Sequence, residues 1–279
     1  MIRHTAAIVM VLATAAATAA AQDSLRLRFA PPEGVDVHRL FQRYTRTVMS
    51  APDGTRLTRE GAQLGGARQV TLLSAHGRTT VHLSFDSLRV RTREADGPWR
   101  ESASGGVDTL WVQVDADERL ELRRPEGMPT HPQTELLLRL VTGLPGMVLP
   151  EHWVRERRQW RAELELGYDE VGLEQEEPSA PLRLRAILVV DSIVPRSRDT
   201  LAFLGIQGTA VPRTVRTREG TRLGYEGSVS GTLVWSTGWN ALVSAATRST
   251  VTVEIGRADG AEPAGTLTVE TTLRQAVVP

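Results

Sequence analysis

Cysteine and lysine are both absent from this 279-residue sequence, and no long hydrophobic run follows its first 21 residues. Without cysteine, disulfides, thiolate metal sites and a lipid-modified cysteine are all excluded. The later apolar stretches, at 136–141 and 186–190, are far shorter than the about 20 residues that a membrane-spanning helix needs. Stability must therefore come from a hydrophobic core, and the chain is long enough to bury one or two.

An excess of charge of one sign is also lacking, since 33 arginines are balanced by 33 carboxylates. Proteins that bind nucleic acid usually show a basic excess or a basic stripe. Here arginines and carboxylates are interspersed along the same segments. We therefore do not expect a nucleic acid as a partner.

Motifs for catalysis and for metal or cofactor binding are missing too. The string nearest to a G-x-S-x-G nucleophile turn is 227–231, which has Val229 at its centre. None of the five histidines after His4 has the spacing of a zinc site, and no glycine-rich phosphate loop is present. We predict no catalytic residue, no bound metal and no cofactor, and hence a protein that is not an enzyme.

The N-terminus has the pattern of an export signal. Arg3 precedes the apolar run 6–17, and the small residues Ala19 and Ala21 fit the recognition rule of signal peptidase. We therefore expect residues 1–21 to be a signal peptide that is cleaved between Ala21 and Gln22. A transmembrane anchor is the alternative, but the run is too short to span a bilayer. The mature protein is predicted to be periplasmic or secreted.

Alternation of apolar and polar residues, which is typical of half-buried strands, is the strongest regular pattern. It runs through 24–29, 80–85, 160–166, 182–190 and 201–206. The alternation changes phase near Asp86 and Ser87, which predicts a β-bulge or a strand break there. Residues 37–48 fit both helical and strand spacing, and we interpret them as a strand because of their β-formers.

The middle of the chain differs, because residues 133–142 predict a helix with Pro132 near its first turn and Gly143 at its C-cap. We divide the chain into the signal peptide 1–21, an N-terminal β half at 22–129, a helix and linker at 130–150, and a C-terminal β half at 151–279. The predicted fold is mainly β: an antiparallel curved sheet, or a two-half β-sandwich or half-barrel, with one short helix in mid-chain.

The last third of the chain predicts a hairpin with two tryptophans. Leu233 and Trp235 share one face, and Trp239 has the same parity on the returning strand. A three-residue loop at 236–238, with Gly238 in a left-handed conformation, is expected to join the strands. Trp235 and Trp239 would then face each other, either as core residues or as the lining of an apolar ligand site.

Three segments follow one another along the mature chain: LRLRF at 25–29, V-L-P-E-x-W at 148–153 ahead of Trp160, and GTLVWSTGWNALVSAATRSTVTVEI at 231–255. This order resembles a family of secreted bacterial all-β proteins that is classed as a domain of unknown function. The resemblance spans most of the mature chain. It implies a β fold, supports a strand at 37–48, and supplies no catalytic residues.

These observations predict an exported, non-catalytic envelope protein that binds an apolar small molecule or an envelope protein on a sheet face. The second hypothesis is a structural or assembly protein whose partner is another protein. The third is an unrecognised hydrolase, whose polar side chains would converge from distant strands.

Overall fold

The computed structural model describes residues 24–73, 79–102, 109–114, 120–123, 149–150, 153–166, 182–211, 213–216, 222–256 and 263–278. Every regular element within these ranges is a β-strand, and neighbouring strands are antiparallel. The prediction of a mainly β, antiparallel protein is therefore confirmed. The predicted helix at 133–142 and the predicted cleavage site at Ala21 and Gln22 lie outside the described residues.

The strands are numbered in chain order. They are β1 (Ser24–Leu25), β2 (Asp36–Ser50), β3 (Arg56–Leu73), β4 (Thr79–Glu94), β5 (Arg100–Ser102), β6 (Thr109–Val114), β7 (Leu120–Arg123), β8 (Val154–Arg155), β9 (Gln159–Leu166), β10 (Leu182–Arg196), β11 (Asp199–Ala210), β12 (Arg213–Arg216), β13 (Arg222–Ser236), β14 (Ala241–Gly256) and β15 (Pro263–Val278).

Almost all of these strands belong to one sheet with the order β7-β6-β4-β3-β2-β15-β14-β13-β11-β10-β9. Strand β5 adds to β4 and β12 adds to β13, while β1 and β8 form a separate pair. Most neighbours in the main sheet follow one another along the chain. The pairing that joins the most distant parts of the chain lies in the middle, where β15 at 263–278 pairs with β2 at 36–50.

The alternation of the sequence decides which face of the sheet is buried. In β2, Val37, Arg39 and Phe41 are buried, while the residues between them are exposed. The strand interpretation of 37–48 is therefore confirmed. We call the face that carries Phe41 the inner face. Through the strand register it also carries Leu233 and Leu204, and we call the opposite face the outer face.

The predicted bulge in β4 is confirmed. Phe85 pairs with Ala67 and Ser87 pairs with Gly66, so Asp86 is the extra residue. Beside this bulge the ring of Phe41 occupies the space above Gly65, where a Cβ atom would lie 2.8 Å from the Phe41 Cζ atom. A side chain at position 65 would therefore clash with the Phe41 ring and with the Ser87 carbonyl.

Residues 24–30, which we call the N-terminal segment, contribute to the core beneath the inner face. Leu25, Leu27 and Phe29 are all buried in the main hydrophobic cluster. Within the described part of the chain, the backbone of this segment forms fewer hydrogen bonds than the long strands of the main sheet do. Leu25 pairs with Val154, and the Ala30 amide donates to the Asn240 carbonyl at 3.0 Å. Burial of its apolar side chains is therefore the main force that holds this segment.

The hairpin between β13 and β14 differs from the prediction of a loop at 236–238. Ser236 pairs directly with Ala241, so the turn comprises residues 237–240. The left-handed residue is Asn240, with φ of 44°, rather than Gly238. Asn is one of the few non-glycine residues that adopt this conformation readily. The carboxylate of Asp199 fixes the turn by accepting from the Gly238 amide at 2.7 Å and the Ser236 hydroxyl at 2.6 Å.

Candidate functional site

The two tryptophans that the sequence singled out do not form a pair. Trp235 pairs with Ala202 and Leu242, and its side chain is 1% exposed. Trp239 lies in the turn and packs against the edge of the core, so the prediction that the two face each other is wrong. The reason is a bulge, since Val243 is an extra residue that shifts the parity of the returning strand.

Burial makes Trp235 a residue of the core in this conformation. A side chain with 1% of its surface exposed presents no area to a ligand. Its indole Nε1 also has no hydrogen-bond partner among the described residues, which indicates tight apolar surroundings. The candidate ligand surface must therefore be sought elsewhere on the inner face.

One buried cation lies on that face. Arg39 of β2 is 1% exposed, and it donates from Nε to the Gln69 Oε1 atom at 2.7 Å and from Nη1 to the Leu242 carbonyl at 2.8 Å. Among the described residues no carboxylate forms an ion pair with it. Burial lowers the pKa of its guanidinium to about 9, so the group is still charged at neutral pH.

The surroundings of Arg39 are polar on the side of β3. Gln69 and Thr71 are both buried there, and Gln275 of β15 is buried nearby on the same face. Since a buried charge is costly unless it is hydrogen-bonded, the bonds to Gln69 and to the Leu242 carbonyl explain how the sheet accommodates the guanidinium. Arg39 thus connects β2 with β3 and, across β15, with the bulged end of β14.

An apolar row at the other end of the inner face runs from the core into solvent. Through direct strand pairing, Tyr225, Val253, Leu267, Met49 and Leu57 lie side by side across five strands. The first three are buried, whereas Met49 is 45% exposed and Leu57 is 66% exposed. We call Met49 and Leu57 the rim pair. It extends the apolar floor of the core beyond the part that the described residues cover.

The rim pair is well separated from Trp235. Tyr225, which begins the row, is ten residues from Trp235 in β13, about 33 Å at the usual rise of a strand. A ligand at the rim pair would therefore not contact Trp235. The side chains around the rim on the inner face include Thr47 and Arg59, which would meet the more polar parts of a bound molecule.

Within the described ranges, no group of three or more acidic or histidine side chains is placed to hold a metal ion. The same part of the chain contains no helix of the length and apolarity needed to cross a membrane. Among the described residues, what the inner face offers chemically is an apolar surface with one buried charged group, Arg39, and several buried neutral polar groups. That is an arrangement suited to binding.

Sequence reasoning missed Arg39 and the rim pair for different reasons. The alternation of β2 already places Arg39 on the same face as Val37 and Phe41, so its inward position was available from the pattern. The rim pair shares the parity of buried residues, and only the pairing of distant strands decides that it is exposed.

Comparison with known proteins yields little. No family model matches this sequence, and no curated protein matches it. Among solved structures, one titled "Lipid-protein interactions in lipovitellin" superimposes with a TM-score of 0.47 and 10% sequence identity. The match covers 90% of this chain and 25% of that chain, so this chain spans about a quarter of its length. At that score the likeness carries no argument about function.

Proposed function

We propose that this is an exported, non-catalytic protein of the bacterial envelope, and that it binds an apolar, acyl-chain-like ligand at the rim pair. The observation that carries the proposal is the row from Tyr225 to Leu57, which is buried at three positions and exposed at two. An acyl chain lying against Met49 and Leu57 would extend the core. Each buried methylene contributes about 0.8 kcal/mol.

Binding of a fluorescent fatty acid, 12-(9-anthroyloxy)stearate, tests this proposal. The mature protein should bind the probe, and unlabelled palmitate should displace it. Replacing either Leu57 or Met49 with serine removes apolar contact worth about 1.5–3 kcal/mol when fully buried, which corresponds to about a tenfold or larger rise in Kd.

The matched control is Leu72→Ser, because Leu72 is 44% exposed on the outer face of the same strand. This change should leave the Kd of the probe within about twofold of wild type, since the site lies on the opposite face. If all three variants bind equally well, or if the folded wild type does not bind the probe, the rim pair is not a ligand site.

Export is the second component of the proposal, and it is supported by the charged start, the apolar run and Ala21 in the sequence. Mass spectrometry of the protein from a bacterial envelope fraction should find Gln22 at the N-terminus, in part cyclised. The N-terminal segment enters the fold only two residues later, at Ser24. Recovery of an intact Met1 from the cytoplasm would contradict export.

A further inference from the structure

The outer face carries a small apolar cluster where β15, β2 and β3 meet. Leu40 is 54% exposed and Leu64 is 56% exposed, and Val278 is also exposed. Leu64 pairs with Gln42 and Val278 pairs with His38, so each lies diagonally beside Leu40. Diagonal neighbours in a sheet are about 7–8 Å apart. We call Leu40, Leu64 and Val278 the outer patch.

Two arginines flank this patch in a single cross-strand row. Pairing across β15, β2, β3 and β4 places Arg274, Gln42, Leu64 and Arg89 side by side. Both arginines are exposed, and within the described part of the chain neither forms an ion pair. The patch therefore has an uncompensated positive charge on either side of its leucines.

The acidic groups described nearby on the outer face are already engaged. Asp36 pairs with Arg68 at 2.6 Å, and Glu101 pairs with Arg91 at 3.5 Å. The chain as a whole has a formal net charge of zero. The positive surplus of Arg274 and Arg89 is thus a local arrangement, and it favours an anionic partner.

We infer that the outer patch docks on an anionic phospholipid surface, with Leu40 and Leu64 entering the boundary between head groups and acyl chains and with Arg89 and Arg274 binding lipid phosphates. Guanidinium groups bind phosphate in a bidentate manner, and apolar side chains beside basic ones are typical of interfacial binding. This inference concerns the face opposite to the rim pair and does not depend on the proposed ligand site.

The size of the patch favours a membrane over a protein partner. A stable protein interface buries about 800 Å² on each side around a well-packed apolar centre. Three apolar side chains at diagonal spacing are too few to form such a centre. A lipid surface needs no shape complementarity, and it contacts the leucines and both arginines together from one plane.

Co-sedimentation with phospholipid vesicles tests the docking. The mature wild-type protein should bind vesicles of equal parts phosphatidylglycerol and phosphatidylcholine, and it should bind pure phosphatidylcholine far less. Raising the salt from 0.05 to 0.5 M should weaken binding. The Arg89→Gln/Arg274→Gln variant should bind about 25-fold more weakly, at about fivefold for each charge. Leu40→Ser/Leu64→Ser should also reduce binding at low salt.

A matched control lies on the outer face of β10, five positions away from β2 in the sheet. Arg185 is exposed there without an ion pair among the described residues, and Ile187 is 44% exposed. The variant Arg185→Gln/Ile187→Ser should bind vesicles within about twofold of wild type. Each variant should retain the thermal midpoint of the wild type, because all the changed side chains are exposed.

Several outcomes would overturn the docking proposal. Equal binding to both kinds of vesicle would show that Arg89 and Arg274 do not bind lipid phosphates. Failure to bind either kind would show that the outer patch does not dock on a membrane. An equal loss of vesicle binding in the β10 control and in the patch variants would show that binding does not depend on the outer patch. If sedimentation velocity shows a dimer that Leu40→Ser/Leu64→Ser converts to a monomer, the patch is a contact between two copies of this chain.

Discussion

Replacing Leu27 and Phe29 together with alanine should remove most of the stability of this fold. Both side chains are buried in the main cluster, although the N-terminal segment that carries them has few backbone hydrogen bonds to other described residues. Core Leu→Ala and Phe→Ala changes cost about 2–5 and 3–5 kcal/mol. Their sum, about 5–10 kcal/mol, is comparable with the whole free energy of unfolding of a typical domain, about 5–15 kcal/mol.

Urea unfolding followed by far-ultraviolet circular dichroism measures this loss. The matched control is Arg26→Ala/Arg28→Ala, which changes the exposed residues of the same segment and should cost at most about 1 kcal/mol for each side chain. If the free energy of unfolding of the Leu27→Ala/Phe29→Ala variant falls by less than about 2 kcal/mol, the N-terminal segment is held weakly and the sheet is stable without it.

Replacing Arg39 with alanine should lower the free energy of unfolding by about 2–6 kcal/mol, because it leaves two buried acceptors unsatisfied at about 1–3 kcal/mol each. These acceptors are the Gln69 Oε1 atom and the Leu242 carbonyl, and the change also opens a cavity. Arg39→Met should lose less than Arg39→Ala, because methionine refills part of the volume. It should still be less stable than wild type, because the two acceptors remain unsatisfied.

The control for Arg39 is Arg89→Ala, since Arg89 is an exposed arginine of the neighbouring part of the sheet. Its free energy of unfolding should stay within about 0.5 kcal/mol of wild type. If Arg39→Met proved more stable than wild type, the cost of burying the guanidinium would exceed the value of its hydrogen bonds, and Arg39 would not be a stabilising connection between strands.

Much of the sheet could be predicted from alternation alone. The period of two identified β2, and it located the extra residue at Asp86, because a bulge changes the phase of the pattern within one strand. The same reasoning was wrong at the β13–β14 hairpin. There Trp239 lies in a four-residue turn, and Val243 is an extra residue in the returning strand. The alternation of the sequence therefore places Trp239 wrongly on the same face as Trp235.

The candidate site was less accessible to sequence reasoning. Alternation assigns Met49 and Leu57 to the inner face, but it gives no information on whether other parts of the chain cover them. That depends on contacts between residues far apart in the sequence, such as Leu267 beside Met49. The outer patch is similar, since Arg274 and Arg89 come together with Leu64 only through the pairing of four strands.

The pairing of β15 with β2 has a consequence for how the chain folds during its synthesis. The central ladder of the sheet joins residues more than 200 positions apart, and such non-local pairing slows folding because loop closure must precede it. Until the 16 residues of β15 are available, β2 and β14 are both edge strands with unpaired backbone groups. Such edges are prone to pair with other chains. A chain that ends before β15 would therefore be an aggregation hazard rather than a smaller version of this protein.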